Sequence, residues 1–186
     1  QYVRNSGQDY IIVTDKSRIY LLDRRGNVRA NPKIQFEPSK NNIFAYQPGN
    51  SNRSGRLVRT DSKGTVYYIY FDGKVEERKI MDCTEDHYFA VEDVTGDRIN
   101  DFIFVDENKL SVFGLTGNKI FQHEFDSKIK HAPAFYCFSS TEKYIGITES
   151  ERSKIYLIDG KGNIAEGFPL TGKTRFSIGF LESGSG

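Results

Sequence analysis

The sequence has no tryptophan, one methionine, two cysteines and five prolines in 186 residues. Cys83 and Cys137 are too few for a disulfide scaffold and lack the paired spacing of a metal-binding knuckle. No apolar run approaches the roughly 18 residues a membrane-spanning helix needs. The longest, such as Tyr10-Ile11-Ile12-Val13, are strand-sized. The first residues carry no basic-then-apolar leader, so no targeting segment is expected within the sequence. Helical periodicity is missing too, which excludes a coiled coil. His87, His123 and His131 have no HExxH spacing, and no Gly-x-Ser-x-Gly elbow occurs. The common hydrolytic constellations therefore do not assemble, and a non-catalytic protein is expected.

Charge is not concentrated in blocks. The chain holds 26 basic and 25 acidic residues for a net charge of +1, and no run of five or six like charges. Its halves differ, with 15 basic against 8 acidic residues in 1–80 and 11 against 17 in 81–186. The arginines are dispersed, Arg24, Arg25 and Arg29 near one turn and Arg53, Arg56 and Arg59 near another. No nucleic-acid-binding motif accompanies them, so nucleic acid is not an expected partner. Opposed halves of this kind suit a homodimer in which the basic end of one copy meets the acidic end of another. With 37% hydrophobic and 27% charged residues, the composition is that of a globular chain.

What is present is repetition. Tyr10-Ile-Ile-Val-Thr…Ile19-Tyr-Leu-Leu-Asp-Arg-Arg-Gly26-Asn27 is echoed by Leu57-Val-Arg-Thr-Asp…Val66-Tyr-Tyr-Ile-Tyr-Phe-Asp-Gly73-Lys74. Phe102-Ile-Phe-Val-Asp…Leu110-Ser-Val-Phe-Gly-Leu-Thr-Gly117-Asn118 and Tyr144-Ile-Gly-Ile-Thr…Ile155-Tyr-Leu-Ile-Asp-Gly-Lys-Gly162-Asn163 continue the series. The turn glycines lie 47, 44 and 45 residues apart. A period of this length, filled with short strands, predicts an all-β fold: a β-propeller of about four blades, each of four antiparallel strands. Such a sheet is apolar on both faces and hides them only against its neighbours. The repeats run approximately over 1–40, 41–82, 83–130 and 131–172. Opening strands are expected at Ile43–Tyr46, Tyr88–Val91 and Ala134–Phe138, with none in the first repeat, and Arg175–Phe180 within 173–182 is left as a final strand. That count allows two readings, a small ring closed by the last strand or an open arc of a larger propeller, with a slight preference for the arc.

The Ile-Tyr-Leu-Leu-Asp-Arg-Arg-Gly-Asn and Ile-Tyr-Leu-Ile-Asp-Gly-Lys-Gly-Asn strings resemble the blade repeats of quinoprotein-like propellers. Those repeats usually carry a tryptophan after the turn, and its absence here gives no support for a quinone cofactor. Asp93-Val-Thr-Gly-Asp97-Arg-Ile-Asn-Asp101-Phe102 resembles the aspartate-rich loop of FG-GAP-type propellers. That resemblance implies calcium as the candidate cofactor and a secreted or cell-envelope setting, hence an extracytoplasmic location. Calcium takes six to eight oxygens, commonly from carboxylates around a tight turn. Asp93, Asp97 and Asp101 offer carboxylates and Thr95 a hydroxyl, with Thr95 standing where the family has a charged or amide ligand and Arg98 where it has glycine. The alternative is a purely structural turn in which Asp93 and Asp97 cap nearby amides.

Asp15, Asp61, Asp106 and Glu149 recur after the second strand of each repeat, which favours a turn role over a catalytic pair. Tyr20, Tyr67 and Tyr156 share one slot, with Ser111 in the third repeat, and this favours blade-to-blade packing over an exposed recognition row. Asn52-Arg53-Ser54 matches a glycosylation sequon. The expectation is an interaction module within a larger extracytoplasmic protein, with a protein or glycan partner. The alternative is a calcium-stabilised carbohydrate-binding or adhesion module.

Overall fold

The computed structural model describes residues 1–14, 18–32, 34, 37, 39, 41, 44–49 and 54–179. Sixteen strands form four antiparallel four-stranded sheets, each wound in chain order, and no helix occurs among the described residues. Blade 1 holds β1 (Tyr2–Asn5), β2 (Gln8–Thr14), β3 (Ile19–Leu22) and β4 (Val28–Ala30). Blade 2 holds β5 (Ala45–Gln47), β6 (Arg56–Thr60), β7 (Thr65–Tyr70) and β8 (Val75–Lys79). Blade 3 holds β9 (Tyr88–Glu92), β10 (Asp101–Asp106), β11 (Lys109–Phe113) and β12 (Lys119–Glu124). Blade 4 holds β13 (Ala134–Cys137), β14 (Lys143–Glu149), β15 (Lys154–Asp159) and β16 (Leu170–Thr171).

The repeated glycines work as the sequence implies. Between β3 and β4, Gly26 N–H donates to the Asp23 carbonyl at 3.0 Å, and Asp23 N–H donates to the Asn27 carbonyl at 2.9 Å. Gly26 has φ of 83°, closing a type I turn with a left-handed third residue, and the β3–β4 register shifts at Leu21/Leu22. The same pair of bonds recurs around Gly73, Gly117 and Gly162. Asp23 and Asp159 reinforce their turns, each accepting amides two and four residues on and the Asn27 or Asn163 side chain.

Packing follows the two-residue alternation of a strand. In β10, Phe102 and Phe104 join the cluster shared with blade 2, while Ile103 and Val105 join the cluster shared with blade 4. In β7, Tyr67 and Ile69 face blade 1 while Val66 and Tyr68 face blade 3. The second and third strands are thus covered on both sides. The fourth strands β4, β8, β12 and β16 are largely exposed, and Lys119–Glu124 is the outer strand its wetter pattern implies. At the other edge β9 lies against β5 and β6 of the preceding blade.

Two expectations are corrected. Blade 1 is not a strand short: Tyr2–Asn5 opens it, paired with Gln8–Ile11 through the Ser6-Gly7 turn, where both φ values are positive at 49° and 78°. Only Tyr2 and Val3 are apolar there, so the strand is inconspicuous in sequence and is fixed by its turn. The segment expected as a final strand is not one over residues 173–179. It crosses blade 4 instead, with Thr148 Oγ1 donating to the Thr174 carbonyl at 3.2 Å and the Tyr136 and Phe176 rings stacked at 5.6 Å. It finds no open partner in blade 1, and the four sheets do not close into a ring among the described residues. Ile43, Asp15, Asn52, Arg53 and Phe180 lie outside the described residues.

Candidate functional site

The β9–β10 loop brings Thr95 onto Asp101, turns Asp93 toward other amides and Lys143, and leaves Asp97 at its exposed tip. Asp101 Oδ2 accepts the Val94 amide at 3.1 Å, the Thr95 amide at 3.2 Å and the Thr95 hydroxyl at 3.1 Å. Burial pushes its carboxyl above the ordinary value despite these donors. Asp93 Oδ1 accepts the Gly96 amide at 2.7 Å, and Oδ2 accepts the Arg98 amide at 3.1 Å and the Lys143 ammonium. Burial would raise Asp93, but Lys143 and the two amides hold it below the usual carboxylate range. Asp97 Oδ1 accepts the Ile99 amide at 2.8 Å. Arg98 stands at φ 69° without glycine's freedom, held by the hydrogen bond its backbone N–H donates to Asp93. The loop thus works as an amide-capped turn that clasps blade 4 through Lys143 on β14. Among the described residues no three His, Cys, Asp or Glu side chains gather as a metal site would require.

The recurring acids do more than cap turns. Asp61 caps its own, accepting the Lys63 and Thr65 amides at 2.9 and 2.8 Å. Asp106 instead accepts the Thr84 amide and hydroxyl from the segment linking blades 2 and 3. Fully buried Glu149 accepts the Ser127 amide at 2.6 Å and hydroxyl at 3.0 Å with one oxygen, and the Tyr156 hydroxyl at 3.0 Å with the other. Burial first, and the Glu149 carboxylate second, push the Tyr156 phenol up to about 12. Beside Thr84, buried His87 places Nδ1 2.6 Å from the Thr84 carbonyl and Nε2 2.9 Å from Thr60 Oγ1. A carbonyl can only accept, so Nδ1 carries the proton and Nε2 accepts from the threonine. The tyrosine slot is also a packing slot: Tyr67 faces blade 1, and Tyr156 meets Phe125 of blade 3 at 5.1 Å between ring centroids.

Antiparallel winding puts the β1–β2-type and β3–β4-type turns of every blade at one end of the molecule, together with the Asp93–Lys143 clasp, and the Asp61, Asp106, Glu149 and His87 contacts at the other. The turn-bearing end holds two depressions. The first, of about 570 Å³, is lined by Gln47, Pro48, Gly49, Ser54, Arg56, Tyr70, Asp72, Lys74 and Glu76 of blade 2 and Leu115 of blade 3. Arg56 is its centre: Nε donates to Gln47 at 2.6 Å, one terminal nitrogen reaches the Tyr70 hydroxyl at 3.3 Å, and the guanidinium lies 4.0 Å from the Tyr68 ring centre. Tyr70 donates to Glu76 at 2.8 Å, and Lys74 donates to the other Glu76 oxygen at 2.6 Å. The Lys74 and Tyr70 hydrogen bonds keep Glu76 below the usual carboxylate range. The second depression, of about 440 Å³, lies on blade 1 among Gln8, Asp9, Asp23, Arg24, Arg25 and Arg29. Arg24 pairs with Asp9 there, and Arg29 with Asp23 at 3.4 Å.

Sequence reading passed over the Arg56–Tyr70–Glu76 arrangement because its members meet only through strand register, Arg56 opposite Tyr70 and Tyr68 opposite Glu76. It also took a phosphate-cradling Gly-x-x-x-x-Gly-Lys to be absent, whereas Gly167-Phe-Pro-Leu-Thr-Gly172-Lys173-Thr174 has that spacing. Here the stretch contains a cis Phe168–Pro169 bond and strand β16, paired with Lys154–Ile155, and no helix follows it among the described residues. The amide cradle at a helix N-terminus that such a loop requires is not built.

No protein-family model and no curated protein sequence matches the chain. Solved structures resemble it in fold. BBS1N, from a crystal structure in complex with ARL6DN, gives a TM-score of 0.62 at 15% identity, over 92% of this chain and 55% of its own. The Dos1 propeller gives 0.54 at 12% identity, over 89% of this chain and 45% of its own. A protein of unknown function from Bacteroides caccae gives 0.50 at 14% identity, over 95% and 63%. The chain therefore spans about half the length of the first two. Together with the four antiparallel sheets, the likeness shows the fold: an all-β, propeller-type stack whose sheets are not closed among the described residues.

Proposed function

We propose that this chain is a non-catalytic, protein-binding section of a propeller, and that its partner sits on the turn-bearing end, over the Arg56–Tyr70–Glu76 groove. The observation that carries this reading is the groove at the turn-bearing end. Both ends carry contacts between blades, Asn5–Ser54 and Asp93–Lys143 at the turn-bearing end and Thr60–His87, Asp106–Thr84 and Glu149–Ser127 at the other, and the turn-bearing end adds a groove with a stacked arginine, a tyrosine and paired charges. Arginine and tyrosine are the residues that most often anchor protein interfaces. The BBS1N–ARL6DN complex supports the idea by analogy, a propeller of similar fold held by a protein partner. The resemblance of the Asp93–Phe102 loop to FG-GAP loops supports an extracytoplasmic setting. A peptide-display library panned on the full chain tests this function. Selected peptides should lose at least about tenfold in affinity with Arg56→Ala and Tyr70→Phe, the loss of one interface anchor. Peptides indifferent to both substitutions would refute the placement. Glycans selected from an array with the same dependence on Tyr70 would favour the carbohydrate-binding alternative.

A further inference from the structure

The repeat puts equivalent residues at equivalent slots, so the same position can be compared across blades. On the second strand, the two side chains facing the preceding blade are Ile11 and Val13, Leu57 and Arg59, Phe102 and Phe104, and Ile145 and Ile147. The pairs of blades 2, 3 and 4 are all buried, the apolar members almost completely. Ile11 and Val13 are 36% and 44% exposed. Tyr2, the register partner of Ile11, and Val28, the register partner of Leu22, are 58% exposed beside them. Tyr20 stands in the slot from which Tyr67 and Tyr156 reach the preceding blade. Half of the exposed large apolar side chains among the described residues thus sit on one sheet, and outside blade 1 every counterpart of Ile11 and Val13 is covered.

We propose that this face of blade 1 is a further blade-to-blade interface, occupied by another four-stranded sheet of the same repeat type that presents an aliphatic face. The occupied interfaces state the chemistry. Blade 1 covers blade 2 with Ile12, Ile19 and Leu21, blade 2 covers blade 3 with Val58, Val66 and Tyr68, and blade 3 covers blade 4 with Ile103, Val105, Leu110 and Val112. The bare face continues that series by one step. A second copy of this chain docking head to tail does not supply the same surface. The corresponding face of blade 4 carries Gly146 and Thr148, and its own segment covers it: a Cβ on Gly146 would lie 2.6 Å from the Tyr136 ring and 3.0 Å from the Phe176 ring. Ser150 and Thr148 also hold the Lys173 and Thr174 carbonyls across it.

The test begins with the full chain, wild type beside Val13→Lys, by sedimentation. Both are expected to be monomers. The chain is then extended by a second copy of residues 1–44 placed before Gln1, which supplies the Ile12, Ile19 and Leu21 face. Hydrogen exchange of the β2 and β3 amides in the original copy should slow by at least about tenfold, and Val13→Lys in that copy should abolish the gain. A wild-type dimer that Val13→Lys splits into monomers would assign the face to a second copy and overturn the proposal. A folded extended chain with unchanged exchange would overturn it as well.

Discussion

Ile11 and Ile145 are the same residue at the same slot of the repeat, one with a preceding blade over it and one without. Replacing each by alanine removes three carbons. At Ile145, fully buried between blades 3 and 4, the loss is about 0.8 kcal/mol per carbon, plus a cavity that β10 and β11 cannot collapse into. The sum is about 3–4 kcal/mol. At Ile11 about a third of the side chain is already in water and the remaining space opens to solvent, so the cavity contribution vanishes and the cost is about 1–1.5 kcal/mol. The lower strand propensity of alanine is common to both and cancels in the comparison. Urea denaturation followed by circular dichroism measures the two variants against wild type. For a chain of this size the difference of about 2 kcal/mol corresponds to a Tm gap of about 4–8 °C. Equal costs at the two positions would refute the claim that a neighbouring blade, and not the sheet itself, buries this slot.

Glu149→Gln keeps the shape but loses the charge that the Ser127 amide and Tyr156 hydroxyl address. It should cost about 2 kcal/mol in urea denaturation and move the Tyr156 phenol down from about 12, read by ultraviolet titration. Burial holds His87 below its ordinary value of 6.5, against the pull of the Thr84 carbonyl, Asp106 and Asp61 and with a smaller contribution from Lys79. The unfolded chain therefore takes up the proton first. Stability is whole above about pH 6.5 and declines as pH falls through the folded value, and His87→Gln should flatten the part of that slope that His123, also lowered by burial, does not supply. Both Asp93 oxygens and Asp101 Oδ2 are engaged by amides, a hydroxyl and Lys143, so millimolar calcium should leave Tm unchanged. A calcium-dependent rise lost in Asp97→Asn would place an ion in the loop.

Blade number, sheet order and the roles of the middle and outer strands were legible because they rest on local patterns. Phe102-Ile-Phe-Val is apolar at every position, as a strand covered on both faces must be, and Gly26, Gly73, Gly117 and Gly162 mark one turn geometry four times. β1 was not legible, since its four residues carry little apolar character and its pairing is set by the positive φ values at Ser6 and Gly7. The path of 173–176 was hidden for the opposite reason. Arg175-Phe-Ser-Ile looks like a strand locally, but what it meets is the shallow face left by Gly146 and the Tyr136 ring, a tertiary circumstance. The groove was invisible because Arg56, Tyr70 and Glu76 are joined by register. For the aspartate loop, composition alone could not decide between an ion and amides as the partners of its carboxylates.

The alternation inside each central strand has a thermodynamic corollary. Leu57 and Val58 are bonded neighbours, yet they report to different interfaces, one to blade 1 and the other to blade 3. Val58 and Phe102, far apart in sequence, belong to one cluster. Alanine substitutions at Leu57 and Val58 should therefore nearly add, whereas Val58 with Phe102 should show a coupling energy, so in this molecule adjacency along the chain is a poor guide to which residues share their fate.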